Sequence, residues 1–451
     1  MENPKKIETR INFKSDTFKK YFKNTSWLLA EKMFRVLLSF FVSILVIRYL
    51  GPDNFGLLSY AISFYGLFTA LSVLGLESIS IRELVKHPDK RDKLLGSVFG
   101  LRLIGGAITL AIIIIVLLST GESYDTSLLI IVISSSVIFQ SFSVVDYYFR
   151  SKVEAKYSVY VLSSSVLISA VIKLLMVYWK APLIYFAIIY SFEFLVAAVG
   201  FLMVYKKRGL KISRWKFDKL LSVELLKDSW PLILSGLVVS IYMKIDQVMI
   251  KNMLNNEQVG YYAAAVRLSE AWYFIPIAIT NSLFPAIVHA KNISEEFYNN
   301  RMQKLYDMLA WLSIAIALPV SFFSKEIILI LLGNTYASSA PILTIYIWAG
   351  VAVFLGVASS QYLINENYTK LSFFRTFIGM IINVILNFIL IPVYGIIGAA
   401  VATLISYSLA TFSIVFFKKT NKQFIMMLKS VLLITFIQYL FSRWNIHSEK
   451  K

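Results

Sequence analysis

Between Leu103 and Ser119 the chain reads LIGGAITLAIIIIVLLS, without a single charge, and runs of this kind recur along the whole sequence. In hydrocarbon a backbone has no water to bond, so only helices and closed barrels can span it. Barrel strands alternate polar and apolar residues over about ten positions, and these runs do not alternate. The chain is therefore expected to be an all-α polytopic membrane protein. Composition agrees. Of 451 residues 58% are apolar and 16% charged, against about 25% charged in soluble domains.

Apolar runs between polar breaks place twelve spans, near 25–47, 56–79, 95–118, 127–149, 158–179, 183–205, 229–251, 259–287, 305–323, 339–364, 371–391 and 396–417. The expected organisation is a basic N-terminus (1–24), a six-helix bundle (25–205), an amphipathic linker (206–228), a second six-helix bundle (229–417) and a basic tail (418–451). Within the tail, 424–441 is read as a surface helix rather than a thirteenth span.

The net charge of +19 suggests nucleic acid at first sight, but its distribution points elsewhere. With residues 1–24 on the cytoplasmic side, the inner segments hold 30 Lys and Arg and the outer segments 4. Basic residues concentrate in cytoplasmic loops of membrane proteins, so the bias predicts a cytoplasmic N-terminus and explains most of the net charge without a nucleic acid. There is no cysteine and there are three histidines, so neither a disulfide nor a metal or other cofactor is expected.

The two halves resemble each other. NTSWLLAEKMFRVLLSFFVSILVIRYLGPDNFGLLSYA from Asn24 runs parallel to KDSWPLILSGLVVSIYMKIDQVMIKNMLNNEQVGYYAAA from Lys227, matching Trp27 with Trp230 and Gly56 with Gly260. KYSVYVLSSSVLISAVIKLLMVY from Lys156 lies opposite KLSFFRTFIGMIINVILNFILIPVY from Lys370. A period of six spans puts both halves in the same orientation. Transporters built on such parallel repeats bind substrate between the halves.

Ionisable residues at membrane depth mark polar cavities. Span 1 carries Glu31, Lys32 and Arg35; Glu31 and Arg35 are four apart on one face and can pair, with Arg35 roughly 15 Å from the inner edge. Span 7 carries Lys244 and Asp246 on different faces, and span 8 carries Arg267 and Glu270 on one face. Arg102, Lys173 and Arg375 are expected to snorkel to an interface; Glu193 adds a single acid in span 6. Cations outnumber acids, and Arg forks suit phosphate, so an anionic substrate is expected. Arg35, Lys244, Arg267 and Lys32 are the cations placed to meet such an anion; Glu31, Asp246 and Glu270 are candidates for ion coupling or charge pairing. No catalytic or metal-binding residue is assigned.

Tyr242–Val288 (YMKIDQVMIKNMLNNEQVGYYAAAVRLSEAWYFIPIAITNSLFPAIV), RYLGPDNFGLLSYA from Arg48, and NVILNFILIPVYGIIGAAVAT from Asn383 together resemble O-antigen and capsule flippases of the Wzx type. These form the polysaccharide-transport branch of the multidrug, oligosaccharidyl-lipid and polysaccharide (MOP) exporter superfamily, and the resemblance covers about Asn24 to Lys419. It implies two pseudo-symmetric six-helix bundles around a central cavity, a MATE-like fold. It further implies transfer of undecaprenyl-diphosphate-linked oligosaccharide, for O-antigen or capsule, from the cytoplasmic to the outer leaflet of a bacterial inner membrane. The expected partners are that lipid and the bilayer, with a polysaccharide polymerase and a chain-length regulator as further protein partners. A cation-coupled multidrug exporter is the first alternative. A membrane polymerase or glycosyltransferase is the second, disfavoured because the outer loops are too short for a catalytic domain; no enzyme is expected.

Overall fold

The computed structural model describes residues 16–435 together with 437 and 438, and among these there are helices and turns but no strand. The first helix, α1 (Asp16–Val73), has 58 residues and would measure about 87 Å if straight, far longer than the roughly 30 Å of hydrocarbon. It breaks once, at Gly51, where φ is 70° and ψ 172°. Only glycine adopts this backbone without strain, and Pro52 then begins the next helix at a position where its missing N–H is not needed. The spans read near 25–47 and 56–79 are therefore separated by a single-residue break.

The chain continues through α2 (Leu76–Lys86), α3 (Arg91–Thr120) and a crossing assembled from α4 (Tyr124–Ser134), α5 (Ser136–Gln140) and α6 (Val144–Ser151). Next come α7 (Lys156–Tyr178) and α8 (Leu183–Lys207). Beyond the linker lie α9 (Lys219–Met253), α10 (Asn256–Glu270), α11 (Phe274–Lys291) and α12 (Glu295–Phe322). They are followed by α13 (Ser324–Leu331), α14 (Ala340–Tyr346), α15 (Ala349–Asn365), α16 (Thr369–Phe412) and α17 (Asn421–Val431). Side-chain oxygens cap several starts: Ser123 accepts from Thr126 N–H, Asn255 from Gln258 N–H and Ser294 from Phe297 N–H, which satisfies donors that a helix start leaves open.

Nine helical stretches among the described residues are long and apolar enough to cross a membrane, and a bent pair, 334–346 with 349–365, makes a tenth. Two of the nine contain a break, α1 at Gly51 and α16 at Gly395 (φ 59°, ψ −141°). Divided there, the described chain makes twelve crossings, the number expected. Their outward faces carry exposed Ile115, Leu118, Phe388 and Val393, as a lipid-facing wall must.

The two glycines matched by the repeat meet each other. A Cβ on Gly56 would fall 1.8 Å from the Asn256 carbonyl oxygen, and one on Gly260 would fall 1.9 Å from that of Pro52. The α1–α10 crossing is thus so close that neither position admits a side chain. Beside it Tyr336 donates to the Ile47 carbonyl (2.9 Å) and Ser339 to that of Tyr261 (2.8 Å). These contacts close the molecule at the end that carries Gly51.

The opposite end carries the linker. Its backbone at Lys216 lies against Gly96 of α3, and its Trp215 indole donates to the Tyr205 hydroxyl at 3.1 Å. Arg82 pairs with Asp228 (2.7 Å), Lys93 with Asp218 (3.4 Å) and Arg208 with Glu154 (3.1 Å). Asp218 also caps α9 by accepting from Leu221 N–H, and that bond, with Lys93 beside it, holds its carboxyl below the usual carboxylate range. Helix α17 lies on α12, where Gln303 and Ser430 both donate to Asp307 (2.9 and 2.6 Å). With 11 residues it is too short to cross a bilayer. Residues 1–15 of the expected N-terminal segment, and the rest of 424–441 beyond 438, lie outside the described residues.

Candidate functional site

Between the two ends, α1, α7 and α8 face α9 and α10 around a cavity of about 310 Å³. Serines point in from α1 (Ser39, Ser43, Ser59, Ser63), and Phe55, Phe186, Tyr190 and Phe194 supply aromatic wall. Five ionisable residues line it: Lys173, Glu193, Lys244, Arg267 and Glu270. Three cations stand against two carboxylates, a formal excess of one positive charge.

The charges are unevenly partnered. Lys173 and Glu193 form an ion pair at 3.3 Å between neighbouring helices. Glu270 accepts from the Tyr346 hydroxyl at 3.4 Å. Lys244 and Arg267 make no hydrogen bond, and no ion pair within 4 Å, to any described residue, and Arg267 is exposed into the cavity. A cation without a partner at membrane depth is costly unless water or a ligand faces it. At the wall between the halves, Ser63 donates to Gln247 at 2.8 Å, both buried.

The candidate residues read from the sequence thus divide into three places. Lys244, Arg267 and Glu270 line the cavity. Glu31, Lys32 and Arg35 do not. Arg35 pairs with Glu31 at 3.2 Å, Glu31 is buried and Lys32 exposed. Arg35 lies one turn before Ser39 on the same stripe of α1, so this pair stands beside the cavity rather than in it. Asp246 points away from the cavity into a buried polar knot. Its Oδ2 accepts from the hydroxyls of Tyr262 and Thr403, both at 2.7 Å, and its Oδ1 from the Asn387 amide at 2.6 Å. Asn387 also donates to Asn383 (3.1 Å), which donates to Ser406 (3.2 Å).

Three basic residues expected to snorkel do not. Arg102 is 4% exposed and is held by Ser143 and by the Tyr147 hydroxyl at 2.6 Å, with that ring 5.8 Å from its guanidinium. Arg375 is 9% exposed and donates to Ser359 (3.1 Å) and Ser360 (2.5 Å). Lys173 turns inward to Glu193. In each case the partner comes from another segment, invisible to spacing along one helix. Lys173 and Glu193 were legible only as isolated charges, because they sit twenty positions apart on two helices. No group of three or more His, Asp or Glu that could hold a metal ion occurs among the described residues.

The sequence profile of a family described as "Polysaccharide biosynthesis protein" matches residues 21–291, and the MatE profile matches 231–389. The chain is 24% identical over 426 residues to the capsular polysaccharide biosynthesis protein CapF of Staphylococcus aureus, covering 88% of this chain and 99% of that protein. It is 27% identical over 174 residues to the "Probable low-salt glycan biosynthesis flippase Agl15" of Haloferax volcanii, covering 38% of this chain and 36% of the relative. The archaeal relatives are matched over little more than half of their own length or less. Among solved structures, the inward-closed form of the lipid II flippase MurJ superposes with a TM-score of 0.69 at 19% identity, over 92% of each chain. That likeness shows the fold, an all-α architecture of the MATE type.

Proposed function

Because the chain belongs to the polysaccharide biosynthesis protein family, a branch of the MOP superfamily of multi-pass membrane transporters, we propose that it flips a lipid-linked oligosaccharide across a membrane. The cargo class is a polyprenyl diphosphate carrying an oligosaccharide repeat unit, of the kind used for capsule or O-antigen. The linker end is cytoplasmic in this reading, in a bacterial inner membrane, and a polymerase and chain-length regulator act downstream.

The observation that carries the reading is the cavity between the halves, where Lys244 and Arg267 have no hydrogen-bond or ion-pair partner among the described residues. A diphosphate offers oxygens to both, and guanidinium binds phosphate in a forked geometry. Phe186, Tyr190 and Phe194 give the sugars faces to stack on, and the four serines give them hydroxyl partners. The polyprenyl tail stays in lipid. In this reading the crossing at Gly56 and Gly260 is the closure on the outer side, and substrate enters from the inner leaflet. Release requires that crossing to part. An inside-negative potential favours export of an anion by about 2.3 kcal/mol per charge per 100 mV, and this is transport without covalent chemistry. Among the acids considered for coupling a cation, Asp246 is the most enclosed.

The test is depletion of the protein in cells, followed by leaflet assignment of lipid-linked oligosaccharide with a membrane-impermeant sugar oxidant. Complete repeat units should accumulate on the inner face, and a variant carrying Lys244→Gln and Arg267→Gln should restore at most about a tenth of the flux, a loss of about 1.4 kcal/mol or more. Normal delivery to the outer face would refute the reading. Extrusion of cationic dyes by the same protein would favour the multidrug alternative, which the MatE match over the second half suggests.

A further inference from the structure

The cavity contains its own competitor for the cargo. Glu193 on α8 holds Lys173 of α7 at 3.3 Å. Arg267 on α10 lines the same cavity from the opposite half of the molecule, as does Glu270. All four line one space. Glu193 is half-buried, as is Lys173, with side-chain exposures of 27% and 26%. The pair is therefore neither a surface bridge washed by solvent nor a sealed structural one. It faces the place where an anionic headgroup must sit.

We infer that Lys173 and Arg267 form an anion subsite bridging the two halves, and that Glu193 occupies it as an internal counter-ion until a phosphate displaces it. This rests on the flippase reading above and assigns the residues that grade its affinity. The chemistry follows from charge counting. With no ligand bound, one carboxylate at Lys173 offsets most of the cost of a cation at membrane depth. A diphosphate brings more negative charge and more acceptor oxygens than one carboxylate, so it takes both cations and releases Glu193. Once released, Glu193 repels the bound anion and lowers the barrier to its departure. A transporter gains from this arrangement because cargo held too tightly is not delivered.

Lys244 and Glu270 complete the ring. Lys244 makes no hydrogen bond or ion pair among the described residues, and Glu270 beside it in the cavity lining accepts from the Tyr346 hydroxyl. Glu270 is thus anchored to its own half through Tyr346, whereas Glu193 holds Lys173 in the other half and lines the same space as Arg267. That difference makes Glu193, and not Glu270, the residue whose removal changes affinity without unpairing a hydroxyl.

The experiment measures binding of a short-chain isoprenyl diphosphate to the full-length protein in nanodiscs, with the corresponding isoprenol as the uncharged control. Wild type should bind the diphosphate well above the isoprenol. Glu193→Gln should bind it about tenfold tighter, Lys173→Gln about tenfold weaker, each about 1.4 kcal/mol, and Glu193→Asp, which keeps the charge, as wild type. In vesicles loaded with the lipid-linked cargo, Glu193→Gln should flip more slowly at saturation while half-saturating at lower cargo density. A tighter Glu193→Gln with slower flipping supports the inference. An equal or weaker Glu193→Gln, with wild type still preferring the diphosphate, overturns the inference and spares the flippase reading. Wild type binding diphosphate and isoprenol alike overturns both.

Discussion

Asp246 sits on the same turn of α9 as Lys244, yet the two do opposite things. Lys244 opens onto the cavity, while Asp246 is 5% exposed and accepts three hydrogen bonds from three other segments of chain. Its removal takes one acceptor from each of Tyr262, Thr403 and Asn387, although Thr403 keeps the Ala399 carbonyl and Asn387 keeps Asn383, and a hydrogen bond to a charged group is worth about 1.5–3 kcal/mol. Asp246→Ala is therefore expected to lose about 3 kcal/mol or more, seen as a lower melting temperature in detergent, while Asp246→Asn, which still accepts on one oxygen and lets the hydroxyls turn, loses less than half as much. If Asp246 also couples a cation, Asn at 246 leaves transport indifferent to the ion gradient although the protein stays folded; unchanged ion dependence in that variant removes Asp246 from the coupling. The sequence MKIDQV shows that both charges lie deep and on different faces. It does not show which face meets the cavity, because the rotation of α9 is set by what packs on it from α1, α10 and α16. Arg102 and Arg375 illustrate the same gap. Their depth was legible, but Ser143, Tyr147, Ser359 and Ser360, which hold them inside, lie 15 to 45 positions away.

Elements were easier to read than faces. Hydropathy alone located the twelve crossings, because each needs some twenty apolar residues and the breaks between them are basic or contain glycine. What it misjudged was the character of the breaks: Gly51 interrupts α1 at one residue, and helix resumes at once through Pro52, Asp53 and Asn54. The internal repeat contained a contact that could be recognised only after folding. Gly56 and Gly260 were matched as equivalent positions, and equivalent positions near a pseudo-twofold axis are the ones that touch. Alanine at either glycine puts a methyl against a backbone oxygen at under 2 Å, and the backbone cannot turn aside as a side chain would. Gly56→Ala and Gly260→Ala are each expected to cost about 1–3 kcal/mol through overpacking, or to part the halves at that end. Because the chain has no native cysteine, Ser59→Cys in the cavity wall reports which occurs. Its rate of reaction with an impermeant maleimide added on the Gly51 side should rise severalfold in the Gly56→Ala background. An unchanged rate together with an unchanged melting temperature would mean that the crossing is not the closure.

At the scale of the molecule the dominant quantity is the distribution of basic residues between its two ends. The end with the linker and α2 gathers Arg82, Lys93, Arg208, Lys211, Arg214, Lys216 and Lys219, and the end with Gly51 is nearly bare of cations. Few of the linker cations are needed by the fold. Arg208 has Glu154 and Lys93 has Asp218, whereas Lys211, Arg214, Lys216 and Lys219 are exposed and form no ion pair among the described residues. Charge that the fold does not consume is free to act on the membrane, through insertion bias and attraction to an anionic inner leaflet. On the flippase reading the orientation this predicts also decides the direction of transport, since the Gly51 end is then the outer closure and cargo enters from the leaflet the linker faces. Single cysteines settle it without background labelling. Tyr124→Cys, at a site 79% exposed beside the Gly51 end, should react with impermeant maleimide in intact cells. Lys211→Cys in the linker should react only after permeabilisation. The reverse pattern would turn the molecule over, and the closed state described here would then be one that opens outward, so that the flippase would be loading from the wrong leaflet for export.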